Sequence, residues 1–262
     1  MATRLTGKDL TPTTLIKACL NGSRAPGDHL ALPLTPSELA REARGTVDAG
    51  AGALHVHPRQ ADGRQTLEAV ACTAALTAIR AACPSIPVGF STGRWIEPDV
   101  ERRRVLVATW QELPDFVSVN LSEPGALDLC KDLLARGIDV DAGLWTPDDA
   151  RLLLDSGLAD RCLRLLIEPM DEGVDAALET VRGIERRLDT VCVRPPRLLH
   201  GTGATAWPVL AVALQRGYDT RIGFEDTLTL PDGRPARDNA ALVAAAWTMA
   251  RQVGADKTRG PA

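Results

Sequence analysis

A single (β/α)8 TIM barrel is the fold predicted by this 262-residue sequence, and three observations carry the prediction. Short, β-rich apolar runs alternate with longer Ala/Leu/Arg stretches of helical spacing, and the unit recurs eight times. The length suits one such barrel with no second domain. Polar and ionisable residues collect at the C-terminal end of nearly every run, which is where barrels of this kind carry their active sites.

In chain order the runs are LIKACLNG (15–22), GALHVHPR (52–59), IPVGFSTG (86–93), DFVSVNLS (115–122), IDVDAGLW (138–145), CLRLLIEP (162–169), PRLLHGTG (196–203) and TRIGFEDT (220–227). Helices are expected between them at about 36–50, 66–83, 98–112, 124–136, 147–157, 172–188, 205–217 and 238–253. Thr35-Pro36-Ser37-Glu38 and Thr146-Pro147-Asp148-Asp149 each set a threonine N-cap before a proline at the first helical position. Acidic residues in those first turns suit the positive end of the helix dipole. Gly50, Gly137, Gly157 and Gly217 follow helical stretches, as residues past a helix end commonly do. An open doubly wound sheet is the alternative arrangement, and eight strand–helix units favour closure. No linker, low-complexity tract or GxGxxG after the first strand marks a second or dinucleotide-binding domain. The ends, about residues 1–12 and 255–262, are expected to be flexible.

Hydrophobic residues make up 45% of the chain and charged residues 24%, as in an ordinary globular domain. Thirty basic against thirty-four acidic side chains give a net charge of −4, which offers no polycationic surface to nucleic acid or anionic lipid. No apolar run approaches the roughly 20 residues needed to span a bilayer. The N-terminal stretch lacks the apolar h-region of a signal peptide. Six cysteines (Cys19, Cys72, Cys83, Cys130, Cys162, Cys192) lie scattered in apolar stretches and are expected to be reduced and buried. These features predict a cytoplasmic protein.

The polar strand ends include Asn21, Arg24, His55, His57, Ser91, Thr92, Ser118, Asn120, Glu168, His200, Glu225 and Asp226. In His55-Val56-His57 the alternation of a strand sends both imidazoles to one face, where they can converge on a divalent metal. Two hydrogen-bonded histidines lining a pocket are the plainer alternative. A catalytic zinc needs a further protein ligand and an open position, and Glu225 and Glu168 are both candidates. Arg221, Gly223 and Glu225 share one face, and Asp226 begins the loop beyond. A salt-bridged barrel rim would account for the same residues. Ser91, Thr92, Gly93, Ser118 and Asn120 offer hydroxyl, backbone and amide groups suited to a carboxylate or thioester oxygen, or to turns and caps. No GxSxG elbow supports serine-hydrolase chemistry. The loop HGTGAT (200–205) could admit a phosphate at a helix start, or be a glycine turn.

Together these motifs resemble the β-keto acid cleavage enzyme family. The resemblance runs from IKACLNGSR through LPLTPSELAREARGTVDAGAGALHVHPR, STGR and FVSVNLS to TRIGFEDTLTLPDGRPARDNAALV, in the family's order. It implies a barrel, usually tetrameric, with one zinc per subunit held by His55, His57 and Glu225. It also implies roles for Ser91, Arg221 and Asp226. The implied reaction takes a β-keto acid and acetyl-CoA to acetoacetate and a new acyl-CoA. In that scheme zinc polarises the keto oxygen, and Asp226, oriented by Arg221 and relayed through Ser91, takes the proton. Ser118 and Asn120 orient substrate.

One position departs from the pattern. Family members that accept an amino-bearing substrate carry a glutamate shortly after the first strand, and Arg24 stands at that position here. A fixed cation repels an ammonium group and suits a carboxylate, so the expected substrate carries an anionic side chain, a CoA phosphate or an internal acid being the alternative partners of Arg24. The competing functional readings are a CoA-independent metal-dependent lyase, aldolase or hydrolase, and a non-catalytic barrel.

Overall fold

Eight parallel strands form where the eight apolar runs stand. Their alternate side chains face a helical shell on one side and a shared interior on the other. The computed structural model describes residues 14–259. Of the ends expected to be flexible, 1–12 and residues 260–262 of the tail 255–262 lie outside the described residues, while 255–259 belong to the last helix. The strands are β1 (Ile16–Cys19), β2 (Ala53–Val56), β3 (Val88–Ser91), β4 (Phe116–Asn120), β5 (Asp139–Leu144), β6 (Arg164–Ile167), β7 (Arg197–Leu199) and β8 (Thr220–Ile222). The helices are α1 (Pro36–Asp48), α2 (Ala69–Ala82), α3 (Val100–Ala108), α4 (Ala126–Ala135), α5 (Pro147–Asp155), α6 (Val174–Leu188), α7 (Ala206–Arg216) and α8 (Asn239–Arg259). Neighbours pair in the order β7-β6-β5-β4-β3-β2-β1-β8. The ring closes through a parallel bridge between Leu198 and Asp219, with Leu199 N donating to Asp219 O at 2.9 Å. The fold is therefore the nearly closed barrel and not the open sheet.

The two Thr-Pro helix starts form as expected. Thr35 Oγ1 accepts from Glu38 N while Glu38 Oε2 accepts from Thr35 N at 2.9 Å, and Thr146 and Asp149 make the same reciprocal box. Helix α2 begins three residues later than its spacing suggests. Residues 59–65 fold back as a small antiparallel turn at Arg59 and Gln65, with Gly63 at φ 83°, and Thr66 stays tied to it by donating from N to Pro58 O at 3.0 Å, so the helix starts only after Glu68. At the other end α8 continues to Arg259, beyond its expected stop.

The apolar core is the layer between strands and helices. Ile16, Leu54, Val56, Phe90, Val117, Val140, Leu165 and Ile222 meet Leu39, Leu76, Leu133, Leu153, Ile184 and Leu210 there, all buried. Each such side chain contributes about 1.5–3 kcal/mol on burial. Five cysteines are buried as expected, whereas Cys192, in the loop before β7, is exposed. Among the described residues no helix is long and apolar enough to cross a membrane.

The barrel interior is different, because charge fills it in place of the usual branched aliphatic side chains. Asp141 of β5 accepts from Lys17 Nζ of β1 at 2.7 Å and from Arg164 Nη1 of β6 at 2.9 Å. Phe116 lies beside both cations, its ring centroid 5.3 Å from Lys17 Nζ and 5.1 Å from Arg164 Cζ. Gly89 makes room for that ring, since a Cβ there would sit 2.1 Å from Cε2. Asp141→Ala would leave two buried cations without their counter-ion, and a loss of about 3–5 kcal/mol is expected. Urea unfolding of variant and wild type checks this, and a loss under about 1 kcal/mol would refute the role given to Asp141.

Candidate active site and metal centre

Three donor atoms converge at the C-terminal mouth of the barrel. His55 is the third residue of β2, His57 lies just past that strand, and Glu225 lies just past β8. Their ligand atoms all fall within 4.8 Å of one another. His55 Nε2 and His57 Nε2 are 3.2 Å apart, and Glu225 Oε2 is 3.6 and 3.5 Å from them. A tetrahedral zinc with ordinary bond lengths spaces its ligand atoms by about 3.3 Å, so the three edges fit such an ion. Glu225 Oε2 is buried without a hydrogen-bond partner, as a carboxylate oxygen kept for a cation would be. Of the two glutamates open at the strand ends, Glu225 completes the triad. Glu168 turns instead to Trp145 Nε1, at 3.3 Å, and to Arg221 Nη2, at 3.6 Å.

The surrounding residues hold the triad. Buried Asn21 accepts from His57 N at 2.9 Å and donates to His57 O at 2.9 Å, which pins the backbone where β2 has ended. Asn239 accepts from Phe224 N at 2.7 Å and donates to Leu20 O at 3.1 Å, which ties the segment carrying Glu225 to β1. Gly22, at φ 54°, lies against the Glu225 stem, and a Cβ there would stand 2.4 Å from Cγ. His57 Nδ1 and Trp95 Nε1 both meet Gln65 Oε1, at 2.6 and 3.2 Å. Because an indole nitrogen can only donate, that Gln65 atom is the amide oxygen. His57 Nδ1 then carries the hydrogen, and Nε2 presents its lone pair to the centre.

Beside the triad, Arg221 of β8 gathers three carboxylates. Its Nη2 donates to Asp226 Oδ1 at 2.8 Å and to Glu225 Oε1 at 3.0 Å, with Glu168 Oε1 at 3.6 Å. Burial alone would raise Glu225, but Arg221 and the two imidazoles outweigh it and hold the carboxyl well below its usual range. Burial pushes Asp226 up to about 7, with Arg221 opposing and Glu225 and Glu168 adding to the rise. Its Oδ2 is buried and unpartnered. A carboxyl poised near neutrality with a bare oxygen is suited to proton transfer. His200 follows β7 between Glu168 and Asp226, at 3.7 and 3.6 Å, and burial drives its pKa well down.

The substrate-binding residues expected from the sequence divide. Ser118 Oγ is buried with no partner and remains available. Thr92 Oγ1 is committed to Ser118 O at 2.8 Å, and Asn120 Nδ2 to Glu123 Oε1 at 2.9 Å. Gly93 is the floor beneath Trp95, whose ring a Cβ would meet at 2.4 Å. Ser91 Oγ accepts from Gly93 N at 3.3 Å, and no hydrogen bond joins Ser91 to Asp226 among the described residues. Arg24 donates from Nε to Phe224 O at 2.8 Å and makes no ion pair among the described residues. It lines a cavity of about 510 Å3 with Trp95, Trp145, Met170, Glu225 and Asp226. Gln65, Trp95 and Trp145 were not anticipated. The only hint of Gln65 was Asp62-Gly63, a tight-turn dipeptide between His57 and Gln65.

Fold and site together define a barrel enzyme built around a His/His/Glu centre and a buried Arg-carboxylate cluster. The family model described as beta-keto acid cleavage enzyme matches residues 13–259, and the chain belongs to that family. It is an enzyme of the β-keto acid cleavage class. The chain is 25% identical over 262 residues to a 3-keto-5-aminohexanoate cleavage enzyme of Acetoanaerobium sticklandii, covering 92% of each chain. The enzyme of the same name from Fusobacterium nucleatum is also 25% identical, over 260 residues and 92% of each chain. Among solved structures it is similar in fold to ObcA in ternary complex with a C4-CoA adduct and oxalate, with TM-score 0.67 and 19% identity. That match covers 86% of this chain, which spans 64% of the ObcA chain, just under two thirds. A 3-dehydroquinate dehydratase from Geobacillus kaustophilus shares the fold at TM-score 0.59 and 14% identity, covering 90% of this chain and 91% of that one.

Outer support of His57 is a measurable quantity. Gln65→Leu should weaken any divalent metal held by the triad by roughly tenfold to a hundredfold while leaving the fold intact. Competition with a chromophoric chelator reads the affinity, and an unchanged value would remove Gln65 from the centre.

Proposed function

We propose that this enzyme uses one zinc ion per subunit, bound by His55, His57 and Glu225, to cleave a β-keto acid at the expense of acetyl-CoA. The observation that carries the reading is the convergence of those three donor atoms within 4.8 Å beside Asp226, a buried carboxyl with an unpartnered oxygen. When bound there, zinc supplies Lewis acidity toward the keto oxygen. Asp226 takes a proton from the carbon between the keto and carboxylate groups, with Arg221 fixing its other oxygen. Ser91 is the candidate relay for that proton, and Ser118 donates its free hydroxyl to the substrate carboxylate. Thr92, Gly93 and Asn120 shape the same wall. The carbon–carbon bond beside the keto group breaks, and the released acyl group ends on the CoA sulfur. The acetyl group leaves that sulfur and joins the carboxylate-bearing carbon, so acetoacetate and a new acyl-CoA balance the equation. We further read the chain as a cytoplasmic homotetramer, as the family resemblance implies, and light scattering tests the assembly.

The substrate side chain is anionic in this reading. Arg24 reaches the 510 Å3 cavity, which Asp28, Glu168, Glu225 and Asp226 also line, and makes no ion pair with any of them among the described residues. A substrate carboxylate can therefore take the charge-assisted bonds that the protein leaves open.

Two experiments follow. Zinc-quantified protein is assayed with acetyl-CoA and a panel of β-keto acids, beside the His55→Ala/His57→Ala double variant. Acetoacetate should appear from at least one member with wild type, and the double variant should lose both zinc and turnover. Stoichiometric zinc without acetoacetate would overturn the cleavage reading in favour of a CoA-independent lyase, aldolase or hydrolase. Second, kcat/KM for 3-oxoadipate should exceed that for 3-keto-5-aminohexanoate. Arg24→Glu should shift the ratio toward the amine by roughly tenfold to a hundredfold. Wild-type preference for the amine would end the anionic assignment.

A further inference from the structure

A second cavity of about 470 Å3 opens beside the barrel mouth and shares Ser23, Arg24 and Trp95 with the first. Its volume is in the range of ligand sites. Four arginines line it, Arg24, Arg59, Arg64 and Arg102, against two acids, Glu68 and Glu97. Nothing in the reaction described above uses this space.

Arg59 is the central observation. Its side chain is 8% exposed, yet no carboxylate lies within ion-pair distance of it among the described residues. Its guanidinium donates only to neutral carbonyls: Gly63 O at 2.8 Å, Gly22 O at 2.8 Å and Arg24 O at 2.7 Å. Its Nε is buried without any partner. Asp28 acts on it only from beyond ion-pair distance, and a buried cation so weakly compensated is relieved when an anion binds nearby. The bonds to Gly22 O and Arg24 O also tie the loop after β1 to the loop after β2, which frames the cavity.

The other arginines can turn to a ligand. Arg64 pairs with Asp62 at 2.7 Å and Arg102 with Glu97 at 2.9 Å, their side chains 77% and 64% exposed. The Arg64–Asp62 pair is exposed on both sides and contributes little, so its exchange for a phosphate is cheap, whereas Glu97 is largely buried and Arg102 can add a ligand contact while keeping that partner. The loop after β7, an alternative phosphate cradle, has its amides engaged: Gly203 N donates to Asp226 O at 2.7 Å and Thr202 N to Thr205 Oγ1 at 3.1 Å.

We propose that this arginine-lined cavity holds the phosphate-bearing nucleotide end of the acyl thioester, whose acyl arm crosses Trp95 into the barrel mouth. The proposal rests on the CoA-dependent reading of the reaction. Trp95 is a wall of both cavities and 47% exposed, with its ring laid over Gly93 and its Nε1 fixed by Gln65. An amide-bearing arm passing between the cavities has that indole face and the Ser23 hydroxyl to lie against.

The test compares acetyl-CoA with S-acetylpantetheine, which lacks the nucleotide, on zinc-loaded wild type and on Arg64→Ala/Arg102→Ala. An Arg182→Ala/Arg186→Ala protein, altered on the outer helix α6, controls for net charge. The preference for acetyl-CoA, as a ratio of kcat/KM values, should fall at least tenfold in the Arg64/Arg102 variant and hold in the control. An unchanged ratio, or an equal fall in the control, overturns the proposal while leaving the CoA-dependent reaction in place. If wild type turns over neither thioester, the reaction reading has failed, and calorimetry with CoA and with pantetheine decides the cavity separately. CoA binding weakened tenfold by the Arg64/Arg102 change supports the nucleotide site. Equal affinity in both proteins, or no CoA binding by wild type, refutes it.

Discussion

The active site depends on one cation. Arg221 is buried among Glu168, Glu225 and Asp226, and its guanidinium lies within 3.6 Å of all three. Each buried carboxylate would cost several kcal/mol alone. One arginine fixed on a barrel strand lets them coexist, and it also differentiates them. Glu225, shared between Arg221 and two imidazoles, is held ionised and suited to a metal. Asp226, crowded by the other acids and more deeply enclosed, is pushed toward neutrality. The same side-chain chemistry thus yields a candidate ligand and a candidate base in consecutive residues.

Around that cation the protein separates stability from chemistry. The apolar layer lies between strands and helices, and the space inside the strands is given to charge, with Lys17, Asp141 and Arg164 forming a paired floor. Precision at the mouth comes from backbone pins. Asn21 grips His57 from β1, and Asn239 grips the segment before Glu225 from the start of α8. Both act just past a strand end, where ladder hydrogen bonds no longer hold the chain. His57 and Glu225, two of the three candidate ligands, therefore stand on loop residues held with the rigidity of a strand.

Much of this was legible in the sequence, and the reasons are local. The eight strands announce themselves as apolar runs, and α1 and α5 by their Thr-Pro caps. His55 and His57 follow from the two-residue period of a strand. The choice of Glu225 over Glu168 was not local. It depends on which strand lies nearer β2 around the ring: β8 is separated from β2 by β1 alone. Gln65 was hidden for a related reason, since its approach to His57 requires the turn at Gly63. The roles expected of Thr92 and Asn120 ran into partners that sequence cannot reveal, a neighbouring carbonyl and Glu123. Arg24 was visible as an unusual charge, but that it forms no ion pair among the described residues is a property of the folded mouth.

The contact between Gly22 and the Glu225 stem has a genetic consequence. Every amino acid reachable from a glycine codon by one base change carries a Cβ, and the genetic code offers no gentler neighbour. Each such change both strains a left-handed backbone position and presses on the side chain that completes the triad. Position 22 can thus drift only through silent substitutions, while exposed helix positions exchange freely.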